Sequence, residues 1–290
     1  MLSLNAQIIS QQYLHRLMLG SIAPRPIAFV STIDLLGNPN LAPFSFFNAF
    51  GVNPGTLIFS PSRRGRDNTT KHTYENLLEV PEAVINVVDY NMVQQMSLAS
   101  CEYPKGVNEF EKAGFTSIQS EKVRPGRVGE SPVQYECRVR ELIPTGNHAG
   151  AGNLVICDIL MIHIREDVLD ANQEIDQTKI DLVGRMGGDF YVRTNESARF
   201  IVPKPVSRNG IGIDVLPIHI RHSPYLTGND LGQMGNLENF PEESIIQTYR
   251  QKETIRHSYL NQKETFFNQV RQLIQTGKAN EALAMLMSVE

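Results

Sequence analysis

Between residues 133 and 142 the chain alternates well. Val133, Tyr135, Cys137 and Val139 fall on one side; Gln134, Glu136, Arg138 and Arg140 fall on the other. A period of two predicts a half-buried strand with one wet face, as antiparallel sheets have. Shorter apolar, often β-branched runs occupy 27–31, 57–59, 83–88 and 154–164. Turn formers bound most of them: Gly37-Asn38-Pro39, Asn53-Pro54-Gly55 and Gly146-Asn147. These runs read as strands. Residues 91–100 and 107–113 read as short helices, the second closed by Gly114 as a C-terminal cap. Strands do not alternate with long helices, so a β-barrel with inserted helices fits better than a doubly wound parallel sheet.

The pattern changes after about residue 205. Residues 208–236 are rich in Gly, Pro, Asn and His and read as loop. From Pro241 onward the chain turns helical. Phe267, Val270 and Ile274 sit at i, i+3 and i+7, one helix stripe. Gly277 ends that helix, and 279–287 predicts a second, Ala/Leu/Met-rich one, giving a C-terminal helical hairpin. The expected organisation is therefore a barrel domain over 1–205 and a loop-rich, helical extension over 206–290.

Composition narrows the function classes. With 41% hydrophobic and 20% charged residues among 290, the chain is neither disordered nor collagen-like. A net charge of −4 gives no basic field for nucleic acid. Cys101, Cys137 and Cys157 form no CxxC pair. Their sparse, odd number argues against a disulfide framework, and they read as three small buried hydrophobes in a reducing compartment. The apolar run 154–164 is interrupted by Asp158 and His163. It falls short of the ~20 residues a membrane-spanning helix needs. No signal-peptide pattern is visible at the N-terminus, so a cytoplasmic protein with no membrane partner is expected. The histidines show no metal-ligand spacing, there is no HExxH or P-loop, and Gly150-Ala151-Gly152 lacks the third glycine of a dinucleotide fingerprint. No metal site is expected.

Three segments concentrate chemistry. In Ser21-Ile22-Ala23-Pro24-Arg25-Pro26-Ile27-Ala28-Phe29-Val30-Ser31-Thr32, an Arg is held between two prolines at the start of a strand. Asn40-Leu41-Ala42-Pro43-Phe44-Ser45-Phe46-Phe47-Asn48 mixes hydroxyls and amides with aromatics, and Pro43 removes one ladder donor. Phe59-Ser60-Pro61-Ser62-Arg63-Arg64-Gly65-Arg66, followed by Lys71-His72-Thr73-Tyr74-Glu75-Asn76, sets hydroxyls and cations beside a helix start. Alone, each reads as a strand start, core aromatics or a solvated loop. Together, the cations and hydroxyls make a phosphate cradle, and the aromatics with freed backbone groups make a wall for a flat heterocycle.

In this order, with Glu130-Ser131-Pro132, Glu136-Cys137, Gly152-Asn153-Leu154-Val155-Ile156 and Val183-Gly184-Arg185-Met186-Gly187-Gly188-Asp189-Phe190-Tyr191, the segments resemble the flavin reductase-like family of FMN-binding split β-barrel proteins. The resemblance runs from about Ser21 to about Arg193. It implies a mainly β fold, an antiparallel Greek-key split barrel, and a homodimer holding FMN at the subunit interface. Carried over by position, Arg25, Pro26 and Ile27 line the flavin site, with Ser31 and Thr32 near the ring. Ala42, Pro43, Phe44, Ser45, Phe46 and Phe47 offer backbone groups to the ring edge, and Ser45 its hydroxyl. Ser60, Arg64, Lys71 and Thr73 hold the phosphate, with Asn76 close by. The family often has Lys-Asp-Thr where this chain has Lys71-His72-Thr73. Arg63, Arg64 and Arg66 are alternatives for one cationic role; Arg64 is the preferred one because a planar fork suits phosphate oxygens.

The implied activity is hydride transfer from NAD(P)H to flavin. The alternative is a flavoredoxin-like FMN electron carrier fed by a redox partner protein. His148, in Gly146-Asn147-His148, is the one candidate catalytic side chain, since a histidine titrates near neutrality. The segment 184–191 reads equally as a tight turn or as part of the cofactor pocket. Leu226-Thr227-Gly228-Asn229-Asp230-Leu231-Gly232 reads as a turn-rich loop.

Overall fold

A computed structural model describes residues 1–205 and 209–289. The boundary expected at 206 lies outside the described residues. The chain divides into two units, Met1–Arg199 and Phe200–Glu290.

The first unit opens with helix α1 (Gln11–Ser21), whose Ser10 hydroxyl accepts the Tyr13 amide as N-cap. Leu14, Leu17 and Met18 fall at i, i+3 and i+4, a short apolar stripe, yet none of its residues is buried. Five strands follow: β1 (Ala28–Ile33), β2 (Pro39–Phe44), β3 (Phe47–Val52), β4 (Gly55–Phe59) and, after helix α2 (His72–Glu79), β5 (Glu82–Val87). A 3-10 turn leads into α3 (Val93–Leu98), then α4 (Glu109–Ala113). Gly114 closes α4 at φ 70°, the left-handed cap a glycine adopts without strain. The short pair β6 (Ser117–Ile118) and β7 (Arg127–Val128) precedes two long strands, β8 (Val133–Pro144) and β9 (Asn153–Ile164). A last small pair is β10 (Val183–Arg185) and β11 (Tyr191–Arg193).

Seven of these strands form one sheet in the order β2-β1-β5-β8-β9-β4-β3, antiparallel at every pairing. Its two outer strands, β2 and β3, are consecutive in the chain and joined only by Ser45 and Phe46. Strands at opposite ends of a sheet meet across so short a link only if the sheet curls on itself. The result is a split barrel. Register breaks at Glu136/Cys137 and Val139/Glu141 supply bends in β8 for that curl.

Two apolar clusters hold the barrel. Ala28, Val30, Phe44, Leu57, Phe59, Leu77, Ile85, Val139 and Val155 form one. Ile27, Phe29, Leu41, Met92, Met96, Phe110 and Phe115 form the other. Strand β1 is buried along its whole length because its alternate residues feed both clusters, which is why its sequence reads as a continuous apolar run. Phe29 is fully buried, edge-on to Phe115 at 5.2 Å; burying one such side chain contributes about 1.5–3 kcal/mol.

Two sequence expectations fail here. The wet face of β8 is only half wet: Arg138 is exposed, but Gln134 and Glu136 are buried. The segment around β6 and β7 covers them. Gln134 donates to the Val128 carbonyl and accepts from Arg127; Glu136 accepts the amides of Glu121 and Lys122. The cysteines also differ from one another, since Cys137 and Cys157 are buried and Cys101 is exposed.

Among its described residues the second unit has six helices: α5 (Ile218–Arg221), α6 (Gly228–Gly235), α7 (Glu243–Arg250), α8 (Glu253–Asn261), α9 (Lys263–Gln275) and α10 (Ala279–Met287). The stretch read as loop therefore contains α5 and α6. Thr227 caps α6, its hydroxyl accepting the Asp230 amide while the Asp230 carboxylate accepts the Thr227 amide. This reciprocal cap, together with complete burial of Met234, outweighs the poor helix propensity of Gly228, Gly232 and Gly235. The expected pair α9 and α10 is present, but within a larger cluster that includes Leu216, Ile220, Met234, Phe266, Phe267, Val270, Ile274, Leu283 and Leu286. No helix of the described residues is long and apolar enough to cross a membrane.

Candidate functional site

The link between β2 and β3 opens onto a cleft of about 450 Å³. Ala42, Pro43, Phe44, Ser45 and Phe46 form one wall. Ser60, Ser62, Arg63, Arg64, Gly65, Arg66 and Lys71 form the other, with Ser100 and Glu102 at the rim. One wall is strand backbone and aromatic side chains; the other is cations and hydroxyls.

The cationic wall is a loop shaped by its own side chains. The Arg64 amide donates to the Thr69 carbonyl at 2.8 Å, and the Asn68 amide to the Arg64 carbonyl at 3.1 Å. Asn68 takes a φ of 59°, a left-handed conformation that Asn tolerates. Asp67 accepts both the amide and the hydroxyl of Thr69, and these hydrogen bonds pull its pKa down to about 2. The loop is pinned to the hairpin between β8 and β9: the Arg63 amide donates to the Ala151 carbonyl at 2.9 Å, and Asn68 Nδ2 to the Asn147 carbonyl at 3.0 Å. Ser60 is pinned there too, its hydroxyl accepting the Asn153 amide at 3.0 Å.

The three arginines do different work. Arg63 turns back on Asn68, its Nε 2.7 Å from Oδ1. Arg64 Nη1 donates to the Thr69 hydroxyl and the Thr70 carbonyl, while its Nε lies 3.2 Å from Glu102. Arg66 is mostly exposed and reaches Glu102 at 2.7 Å; Lys71 Nζ lies 3.6 Å from the same carboxylate.

Beside this cleft is a smaller cavity of about 170 Å³ lined by Ile27, Pro43, Ser45, Met96, Ser97, Ser100, Arg185 and Tyr191. A third space of about 520 Å³ is lined by Tyr90, Gln94, Ser97, Ser100, Asp189, Arg185, Tyr191 and Arg193 among others. Shared residues join the three: Pro43, Ser45 and Ser100 connect the first to the second, and Ser97, Ser100, Arg185 and Tyr191 the second to the third. Arg185 lies over the Tyr191 ring at 4.5 Å, and Arg193 over Tyr90 at 3.8 Å. Arg193 is also held by Asp181 at 2.7 Å.

Of the residues singled out in the sequence, Ala42, Pro43, Phe44, Ser45, Phe46, Ser60, Arg64 and Lys71 meet around the first cleft, and Ile27 lines the second. The others lie elsewhere. Arg25 is buried beneath Ser45, and its guanidinium donates to the carbonyls of Leu19, Ile22 and Met186. Pro26 is exposed, and Phe47 packs on the barrel cluster. Ser31 and Thr32 are buried in β1. Thr32 accepts from Asn76 at 3.2 Å, and Thr73 accepts from Asn40 at 2.9 Å, so Thr32, Thr73 and Asn76 fasten α2 to β1 and β2. His72 faces a separate small recess with Asp34 and Lys105; desolvation chiefly lowers its pKa, with Arg64, Lys105 and Lys71 adding and Glu75 opposing. His148 is exposed in the hairpin loop and lines none of these three spaces. Ser62, Ser100, Glu102, Met96 and Tyr191 line them without having been assigned there. Tyr191 and Arg185 had a signal in the 184–191 segment; Glu102 had none, because only folding brings it to the loop.

The family model for the flavin reductase like domain matches residues 19–179. The chain belongs to the flavin reductase-like family. An Aquifex aeolicus protein of uncharacterised function is 38% identical over 180 residues, 62% of this chain and 89% of its own length. Among solved structures, component B of nitrilotriacetate monooxygenase from Bacillus cereus superposes with a TM-score of 0.65 at 29% identity, covering 70% of this chain and 98% of that one. The Pseudomonas fluorescens 2-nitrobenzoate 2-nitroreductase gives a TM-score of 0.62 at 26% identity, covering 70% and 96%. The matched family region lies wholly within the first unit.

Proposed function

We propose that this flavin reductase-like protein is an NAD(P)H-dependent FMN oxidoreductase. The observation that carries the reading is the split chemistry of the first cleft. Arg64, Arg66, Lys71, Ser60 and Ser62 offer a planar fork, two further cations and two hydroxyls suited to a phosphate. Ala42–Phe46 offers strand backbone and aromatic surface suited to a flat ring. The donor set thus fits FMN, whose ring supplies the hydride chemistry when bound.

The chain's own part is binding and orientation. The hairpin contacts at Ala151, Asn147 and Asn153 hold the cationic loop and Ser60 against the barrel. Arg25 holds Ser45, its Nε donating to the hydroxyl at 3.3 Å. The connected third space, with Arg185 and Arg193 stacked on tyrosines, gives a second substrate room beside the first. A nicotinamide nucleotide, flat at one end and anionic at the other, matches that lining. No titrating side chain is required for hydride transfer, which accords with a wall of hydroxyls and backbone.

The second part of the proposal is a homodimer with the flavin at its interface, in a cytoplasmic setting. Phe50 and Val52 on β3 are exposed, as are Leu160, Ile162 and Ile164 on β9. Strand β9 runs past Asp158, where its pairing with β4 stops. Light scattering on the purified protein tests this, and a strictly monomeric mass would refute it.

The activity test is direct. Purified protein is scanned for a flavin spectrum, then given NADH or NADPH with and without added FMN. Turnover supports the reductase. Bound flavin that only a protein donor reduces supports the carrier alternative, and protein that takes up no FMN overturns both.

A further inference from the structure

Among the described residues lining the first cleft, Glu102 is the only carboxylate. It stands on the segment leaving α3, opposite the cationic loop. Its two oxygens contact Arg64 at 3.2 Å, Arg66 at 2.7 Å and Lys71 at 3.6 Å. These are three of the cations the cleft offers to a phosphate. Arg63, the fourth, is committed to Asn68.

We infer that Glu102 is a resident counter-anion that competes with the flavin phosphate for Arg64, Arg66 and Lys71, and so sets how tightly the cofactor is held. The inference rests on the flavin reading above and deepens it. Arg66 also has Asp67 at 3.1 Å, but without Glu102 the Arg64 and Lys71 cations would face Arg66 around an open cleft with no carboxylate between them. Glu102 relieves that repulsion and so stabilises the loop in the ligand-free protein. A phosphate brought to the same donors meets both their attraction and the repulsion of the carboxylate. Binding then requires Glu102 to give up its partners, and the affinity falls by what those partners contributed. Desolvation alone would raise the Glu102 carboxyl, but Arg66, Lys71 and Arg64 outweigh it and hold the pKa below the ordinary range, so the competitor stays charged at neutral pH. The arrangement favours a cofactor that comes and goes over one that is permanently retained.

The test compares FMN with riboflavin, which has the same ring and ribityl chain but no phosphate. Glu102→Gln and Glu102→Ala are each titrated with both flavins by fluorescence quenching at low and high salt. The expected result is FMN bound about fivefold more tightly than by the wild type, the upper range for an exposed ion pair. Riboflavin affinity is expected to stay unchanged, and the FMN gain to shrink with salt. If the wild type binds FMN and neither variant gains, or FMN and riboflavin shift together, the inference is overturned while the flavin reading stands. Wild-type protein that binds neither flavin overturns the flavin reading and the inference with it.

Discussion

The guanidinium of Arg25 donates to the carbonyl of Met186 at 2.9 Å, across 161 residues of chain. The same side chain reaches Leu19 and Ile22 at the end of α1. It is a junction between the N-terminal helix, the start of β1 and the β10–β11 turn. Desolvation, helped by nearby Arg185, lowers its pKa; a guanidinium in a protein nonetheless keeps its charge. Arg25→Ala leaves three carbonyls to find other partners and is expected to destabilise the first unit by about 2–4 kcal/mol. Urea midpoints measure this. A loss of flavin affinity with no loss of stability would instead return Arg25 to direct cofactor contact.

The loop arginines should separate in titrations. Arg64→Ala is expected to weaken FMN binding by about 1.5–3 kcal/mol, the range for a charged hydrogen bond. Arg63→Ala should act differently, since its fork holds Asn68 and thereby the loop. It should raise protease cleavage within 63–70 as well as weaken binding. Equal FMN affinity in Arg64→Ala and wild type would remove Arg64 from the phosphate site.

Glu136 is expected to make part of the barrel sensitive to acid. Its carboxylate is fully buried and accepts the amides of Glu121 and Lys122 and the His163 ring at 2.7 Å. Burial alone would raise its pKa, but these partners outweigh it and hold the group below the usual carboxylate range. A lowered folded pKa means stability that is present above the unfolded value, near 4.3, and lost as pH falls through the folded one. Glu136→Gln is expected to cost about 2–3 kcal/mol at pH 7. That gap should narrow as the pH is taken below the unfolded carboxylate value near 4.3 and on toward the lowered folded one. Urea melts at both pH values check it; a gap independent of pH would contradict the account.

Gly210 tests the second unit. A Cβ there would lie 2.4 Å from the Gly235 carbonyl oxygen and 2.9 Å from the Asn236 Cα, both backbone atoms at the end of α6. Gly210→Ala is expected to destabilise that unit by about 1–3 kcal/mol through overpacking. Hydrogen exchange should show the loss in α6 and not in β1 or β5. Unchanged protection in α6 would mean the backbone yields freely.

Legibility in the sequence followed the range of the interactions. The period of two in 133–142, the apolar run of β1 and the Gly114 cap are local and appear in the structure where the pattern puts them. Glu136 and Gln134 read as wet because their partners arrive from the segment around β6 and β7. Helix α6 was hidden by three glycines, although its Thr227–Asp230 cap stood in the sequence. Around the cleft, residues on one continuous strand edge, Ala42–Phe46, were readable. Thr32, Thr73 and Asn76 were not separable from them, because a hydroxyl or amide beside a site and one fastening a helix look alike in sequence.

By itself the sequence determined the family, the antiparallel class and several of the segments that line the cleft, since motif order and side-chain periodicity are properties of the chain. Only the tertiary structure decided which cations face the cleft, that Arg25 is a buried junction, and that Glu102 stands among Arg64, Arg66 and Lys71. The physical reason is that charge interactions depend on distance and burial. Both are created when β2 and β3 close the sheet and α3 brings its following segment to the loop.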